Sequence, residues 1–485
     1  MTLPTPLGAR HRPAPAQGSD DDELTVSMYE KQVKIYPRAV TGWFAGWRWA
    51  MVWLTQLVFY GGPWLQWNGR QAVLFDLTER RFFVGGLVLQ PQDFIYLAAL
   101  LVIAALALFF FTAVAGRLWC GYACPQTVYT EMFLWVERRT EGDRQARMRL
   151  DAAPWSADKL LRKGSKQAAW ITIALLTGFS FVGYFTPIRA LAAEAATLGF
   201  SAWEWFWVLF YGLATYGNAG YLREQVCKYM CPYARFQSAL IDRDSLVIAY
   251  DSGRGEARGS RPRKADPRAL GLGDCIDCTL CVQVCPTGID IRNGLQNECI
   301  GCAACIDVCD DVMGKMGYAK GLIRYSTENG VAGGWTRAQM LRRTLRPRVL
   351  LYGLLLLVVS AVFVFSLSQR SGFTVDVIRD RGALARVVEG GVIENVYTLH
   401  IANVSEQVRR FRVGVSGLPG LQIVTPTELV VAPTHIGTLA VRLSLPADAG
   451  QAQRGQAAAI AFEIASMQDG VPVMRREKST FFVPR

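Results

Sequence analysis

Two stretches of this chain, LVIAALALFFFTAVAG and VLLYGLLLLVVSAVFVF, carry no polar side, and nothing else in the sequence restricts the fold as strongly. A helix that is apolar all round needs an apolar solvent or a large protein around it. A bilayer core asks for about 20 such residues in a row. That criterion predicts five membrane-crossing helices, at 49–69, 94–116, 168–188, 199–222 and 349–368, the fourth interrupted only by Glu204. Glu204 falls near the outer end of its span, where a carboxylate reaches the headgroups, so it reads as interfacial rather than as a proton relay. With 51% hydrophobic and 19% charged residues, a purely soluble enzyme is excluded, and 14 Trp, 24 Phe and 17 Tyr exclude disorder as the general state.

The net charge of +12 is distributed unevenly. Six Lys and Arg precede the first span, ten lie between the second and third, and 19 between the fourth and fifth; the two alternate loops hold three and one. The positive-inside bias therefore expects the N-terminus, the 117–167 loop and the 223–348 segment in the cytoplasm, with residues from about 369 onward outside. The charge then records topology and implies no nucleic-acid partner. The first 30 residues hold an acidic run (Asp20, Asp21, Asp22, Glu23) but no apolar core of a leader, so no cleaved signal peptide is expected.

Twelve cysteines fall into two pairs and two quartets. CIDCTLCVQVCP and CIGCAACIDVC both read C-x2-C-x2-C-x3-C, the spacing of two-cluster bacterial ferredoxins. Three thiolates of one loop cap three irons of a cubane, and the fourth ligand crosses over from the other repeat. The expected ligand sets are Cys275, Cys278, Cys281 and Cys309 for one [4Fe-4S] cluster, and Cys299, Cys302, Cys305 and Cys285 for the other. Structural zinc, the competing reading, normally takes paired cysteines from separate loops. Ile276, Val282, Val284, Ile289, Ile300 and Ile306 are expected to keep water from the sulfurs. The three histidines, His11, His400 and His435, lie far from any cysteine group, so metal chemistry here is thiolate chemistry.

The pairs Cys120/Cys124 and Cys227/Cys231 sit in WCGYACP and VCKYMCP, each just after an even-numbered span, so 49–240 reads as a repeated unit. Proline suits the first position of a helix, which makes Cys124 and Cys231 expected N-caps of amphipathic helices starting at Pro125 and Pro232. The helix dipole, with Arg117, Lys228 and Arg235 nearby, is expected to lower the thiol pKa values. Soft thiolates select Cu(I), and Met230 offers a thioether. A redox disulfide in each pair, a further iron–sulfur centre and inert packing remain open alternatives.

The expected fold class is mixed. An N-terminal cytoplasmic segment (1–48) precedes four helices in two repeats (49–240), a flexible basic linker (241–274) and a cytoplasmic two-cluster ferredoxin-like α+β domain (275–325). A connector (326–348) and the fifth membrane helix (349–368) follow. Residues 369–485 alternate β-formers in six to eight short runs, which predicts an all-β immunoglobulin-like sandwich without a disulfide and without catalytic groups.

EKQVKIYPRAV, GRLWCGYACPQTVYTE, APWSADKLLRKG, REQVCKYMCPYARFQ, the double quartet through KMGY, and GLIRYSTENG together closely resemble the CcoG (FixG, RdxA) family over nearly the whole chain. These are accessory proteins for assembly of cbb3-type cytochrome c oxidase, and the chain resembles the NosR and NapH membrane polyferredoxins more distantly. The resemblance implies a bacterial inner-membrane protein that reduces Cu(II) at Cys120, Cys124, Cys227 and Cys231 and delivers Cu(I) toward the oxidase. It implies a periplasmic immunoglobulin-like domain, oxidase subunits or copper-delivery proteins as partners, and an electron donor it does not name. An electron conduit to a quinone or partner complex, and a redox-sensing assembly scaffold without catalysis, are the alternatives.

Overall fold

The computed structural model describes residues 34–485 except 371, 381, 383–384, 451–454, 469–470 and 485. His11, the acidic run and the first 30 residues, where no cleaved leader is expected, lie outside the described residues. Eight helices frame the part of the chain that carries cysteines: α1 Trp43–Gly61, α2 Phe94–Ala115, α3 Pro125–Thr140, α4 Ala157–Val182, α5 Ala202–Thr215, α6 Pro232–Leu240, α7 Ala304–Met316 and α8 Pro347–Ser368. Among the described residues, two helical segments are long and apolar enough to cross a membrane: α8, and α2 with the turn that leads into it from Pro91. They pack against each other, with the Tyr96 and Phe363 rings 6.1 Å apart.

The other three expected spans are helical but differ from their expected limits. The first, expected at 49–69, runs from Trp43 to Gly61 and gives way to a turn containing Pro63, which cannot continue the hydrogen-bond ladder. The third lies in the C-terminal part of the 26-residue α4, which ends at Val182 rather than 188. The fourth divides into α5 and a π-helical stretch, Tyr216–Leu222. Glu204 begins α5 in a capping box: its carboxylate accepts from the Ser201 amide at 2.8 Å, and the Ser201 hydroxyl accepts from the Glu204 amide at 3.3 Å.

Residues 66–89, read only as part of the membrane region, form five short strands in two antiparallel sheets. This patch anchors the C-terminal domain. Arg70 pairs with Glu406 at 2.6 Å, Arg370 pairs with Asp93 and donates to the Val88 carbonyl at 2.6 Å, and Gln92 donates to Asp376 at 3.3 Å.

The C-terminal domain is two antiparallel sheets. One is built from Phe373–Arg379, Arg386–Val387, Ile393–Asn403, Gln422–Ile423 and Ile436–Leu445; the other from Arg409–Ser416, Glu428–Val431, Ala457–Gln468 and Val471–Phe482. Alternate residues turn inward, so Phe373, Tyr397, Phe411, Phe462 and Phe481 are fully buried between the sheets. Tyr397 satisfies its hydroxyl by donating to the Thr480 carbonyl at 2.8 Å. His400 and His435 make local hydrogen bonds, to Thr438 and to the Pro433 carbonyl.

Residues 241–274, expected as a flexible linker, are tied down. Val247–Tyr250 pairs antiparallel with Ile323–Ser326. The buried Arg261 guanidinium donates to the carbonyls of Gly259, Gly273 and Cys275. Arginine runs read as solvated only when their donors lack carbonyl partners, which sequence does not display.

Candidate redox site

The two quartets coil in the same way. Asp277 and Thr279 flank Cys278 with φ of 51° and 55°, and Gly301 and Ala303 flank Cys302 with φ of 71° and 60°. Left-handed conformation costs a non-glycine residue of order 1–3 kcal/mol and persists where its surroundings enforce it. Here it winds each loop tightly, and in the first loop the cysteines line one space. Cys275, Cys278 and Cys281 border a cavity with Tyr250, Ile276 and Val312, and the fourth sulfur on it is Cys309 from α7. Cys285 faces the opposite group, acting electrostatically on Cys299, Cys302 and Cys305. All twelve cysteines are free thiols.

A tetrahedral zinc would hold its sulfurs about 2.3 Å from one point. Among the described residues no three Cys, His, Asp or Glu side chains are drawn together to hold a single ion. A wider, apolar space ringed by four sulfurs fits a four-iron cluster. Val284, Ile289, Ile300 and Ile306 are buried around the sulfurs, and Ile276 and Val282 partly so. Burial pushes the Cys281 thiol up to about 11, and Cys299 and Cys309 up to about 12. Iron binding must therefore expel protons from a dry site.

The four remaining cysteines gather beside the second group. Cys124 and Cys231 are the N-cap residues of α3 and α6, with Pro125 and Pro232 at the first helical positions. Cys120 feels Cys124 and Cys227, and Cys124 and Cys227 both feel Cys231. The Cys120 thiol donates to Gln237 Oε1 at 3.1 Å, which joins the first motif to the helix of the second. Cys120 and Cys227 also pack on the apolar cluster of Val284, Ile300 and Cys302.

The lowering expected at Cys124 is corrected. Burial pushes Cys120 up to about 12 and Cys227 up to about 11, and it raises Cys124 although the Gln126 and Thr127 amides pull the other way. Desolvation of a thiolate outweighs a helix dipole and one nearby arginine. Burial thus favours the neutral thiol at Cys120, Cys124 and Cys227.

Three contacts invisible in the motifs bring the groups together. Gly121, inside WCGYACP, lies so close to the second loop that a Cβ there would stand 2.8 Å from Cys302 Cα and from the Gly301 carbonyl. Helix α1 has Gly42 at its N-cap and no capping side chain of its own. Asp307, between Cys305 and Cys309, caps it from outside, accepting from the Phe44 amide at 3.2 Å and the Ala45 amide at 2.7 Å. One turn later the buried Arg48 donates to the Cys302 carbonyl at 3.4 Å. A helix beginning at glycine was the available signal that its cap comes from elsewhere.

Outside this centre, Glu137 forms a buried ion cluster, pairing with Arg147 at 2.7 Å and Arg223 at 2.6 Å, while Lys166 bonds Glu141 at 2.9 Å. It joins α3 and α4 to the segment that leads into VCKYMCP.

Comparison with known proteins agrees with this geometry. A family model described as a 4Fe-4S dicluster domain matches residues 222–328, one described as a 4Fe-4S binding domain matches 97–141, and the Ig-like fold found at the C-terminus of FixG matches 363–484. Protein RdxA of Cereibacter sphaeroides is 40% identical over 437 residues, 88% of this chain and 92% of its own. Nitrogen fixation protein FixG of Rhizobium meliloti is 38% identical over 423 residues, 81% of each chain. The crystal structure of a FixG-related protein from Vibrio parahaemolyticus aligns with 24% of this chain and 99% of its own, at 22% identity and a TM-score of 0.21. Two cysteine quartets on paired ferredoxin loops, an Ig-like C-terminal domain and identity of this extent make the chain an iron–sulfur electron-transfer protein that belongs to the FixG/RdxA family.

Proposed function

We propose that this protein is a cupric reductase of the bacterial inner membrane that supplies Cu(I) for assembly of cbb3-type cytochrome c oxidase. The observation that carries the reading is the gathering of Cys120, Cys124, Cys227 and Cys231 against the Cys299–Cys305 loop, with Gly121 allowing backbone contact. Cys275, Cys278, Cys281 and Cys309 would hold one [4Fe-4S] cluster, and Cys285, Cys299, Cys302 and Cys305 the other. When bound, these clusters supply single electrons. The substrate is Cu(II): it gains one electron and becomes Cu(I), the state that soft thiolates favour. The buried thiols release protons as copper binds, and Gln237 holds Cys120 in place until then. The charge bias of the sequence supports a cytoplasmic centre, in a chain read as crossing the membrane five times with its C-terminal domain outside.

Serine at all four positions 120, 124, 227 and 231 is the test. Dithionite-reduced wild type reduces Cu(II) anaerobically, whereas the quadruple variant loses that reaction and keeps its iron–sulfur absorbance. Undiminished reduction by the variant refutes the assignment. One observation favours a second reading, a third iron–sulfur centre on these thiols: a 4Fe-4S family model covers 97–141, which contains only Cys120 and Cys124. Iron content above that of the two quartets would establish it.

A further inference from the structure

Arg117 is buried, and no carboxylate among the described residues pairs with it. Its guanidinium donates to two backbone carbonyls, Asn297 just ahead of Cys299, and Ala234 in α6 at 2.5 Å. Arg117 stands three residues before Cys120, and its two carbonyl partners tie it to the Cys299 loop on one side and, on the other, to α6 three residues past Cys231. Arg117, Asn297, Cys299 and Gly301 border one cavity, and the Arg117 carbonyl lies close against Gly301. A buried arginine without a counter-ion is expensive unless negative charge arrives beside it. Each site it faces becomes more negative in use. The Cys299 group gains charge with an electron, and thiolates gathered on Cu(I) carry net negative charge.

We propose that Arg117 is a positioning residue that compensates charge at both sites, raising the reduction potential of the Cys285/Cys299/Cys302/Cys305 group and the Cu(I) affinity of the four thiols together. In the forward direction one electron leaves the first site and one is gained by Cu(II) at the second. The negative charge then stays near one fixed cation, so little reorganisation accompanies the transfer. A guanidinium is suited to this because it stays protonated in either state. Arg261, which donates to the Cys275 carbonyl, lies at the other quartet and has no such double exposure. The copper half of the proposal rests on the function proposed above; the potential half does not.

The test compares Arg117→Gln, which removes the charge and keeps an N–H donor, with Arg117→Lys, which keeps the charge and loses the forked geometry. Both are purified anaerobically in detergent with their clusters. Redox titration followed by electron paramagnetic resonance reads the two clusters, and competition with a chromogenic Cu(I) chelator reads copper. In Arg117→Gln one cluster falls in potential, the other holds, and Cu(I) affinity drops by about tenfold or more. Arg117→Lys stays near wild type in both. Equal behaviour of Gln and Lys variants makes the role structural and overturns the proposal, as do unchanged potentials in Arg117→Gln. If wild type itself binds no Cu(I), the copper assignment fails while the potentials still decide for or against Arg117.

Discussion

Replacing Asp307 by alanine removes the side-chain cap that the described residues give α1, and does so from inside the cluster loop. Two amides lose a charged acceptor, at 3.2 Å and 2.7 Å, and Asp307 and Ala45 are both buried, so water does not take over freely. Loss of an N-cap costs about 0.5–2 kcal/mol, and hydrogen bonds to charged groups contribute about 1.5–3 kcal/mol each. The terms overlap, so about 2–4 kcal/mol is expected. The cost falls locally, since α1 and α7 separate without requiring the C-terminal domain to unfold. A local opening equilibrium raised by that amount is about 30-fold to several hundredfold more populated. Hydrogen exchange of the Phe44–Trp47 amides should accelerate accordingly, and one of the two clusters should bleach faster under an iron chelator. Asp307→Asn retains a carbonyl acceptor and should fall between wild type and Ala. Wild-type exchange and bleaching in Asp307→Ala would show that the capping contact does not hold α1 to the cluster loop.

Glu137→Gln should be among the most damaging single changes outside the cysteines, because it leaves Arg147 and Arg223 buried beside a neutral group; about 3–5 kcal/mol is expected, visible as a lowered midpoint of thermal unfolding. Near the first quartet, the Arg292 hydrogen bond holds the Asp290 carboxyl below the usual carboxylate range despite partial burial. Its contribution is therefore present above about pH 4 and lost as pH falls through the depressed value, so acid bleaching of wild type should extend to lower pH than that of Arg292→Ala. Identical acid profiles would refute the contribution.

The parts of this molecule legible from sequence are those set by a repeat or a period. Cysteine spacing alone brought Cys309 to the Cys275 loop, since a loop of that length supplies three corners and no fourth. Period-2 runs marked the strands from Phe373 to Phe482, and the two all-apolar stretches became α2 and α8. The start of the edge strand Val471–Phe482 was harder to read, because four consecutive charged residues, Arg475 to Lys478, interrupt its apolar pattern. Contacts between distant segments were hidden for a different reason. Asp307 reads as an ordinary polar residue of a ferredoxin helix until Gly42 is placed on it, and Arg117 reads as a flank charge until Asn297 and Ala234 enclose it. The Cys124 expectation went the wrong way because a helix dipole is local and visible in sequence, while burial is a property of the assembled fold.

Iron and acid-labile sulfide, counted per chain in anaerobically purified protein, test the centre of this account. Two cubanes predict about eight of each, falling to about four on replacement of either Cys278 or Cys302 by alanine if each variant loses one cluster outright. Four zinc ions, or iron without sulfide, would contradict it.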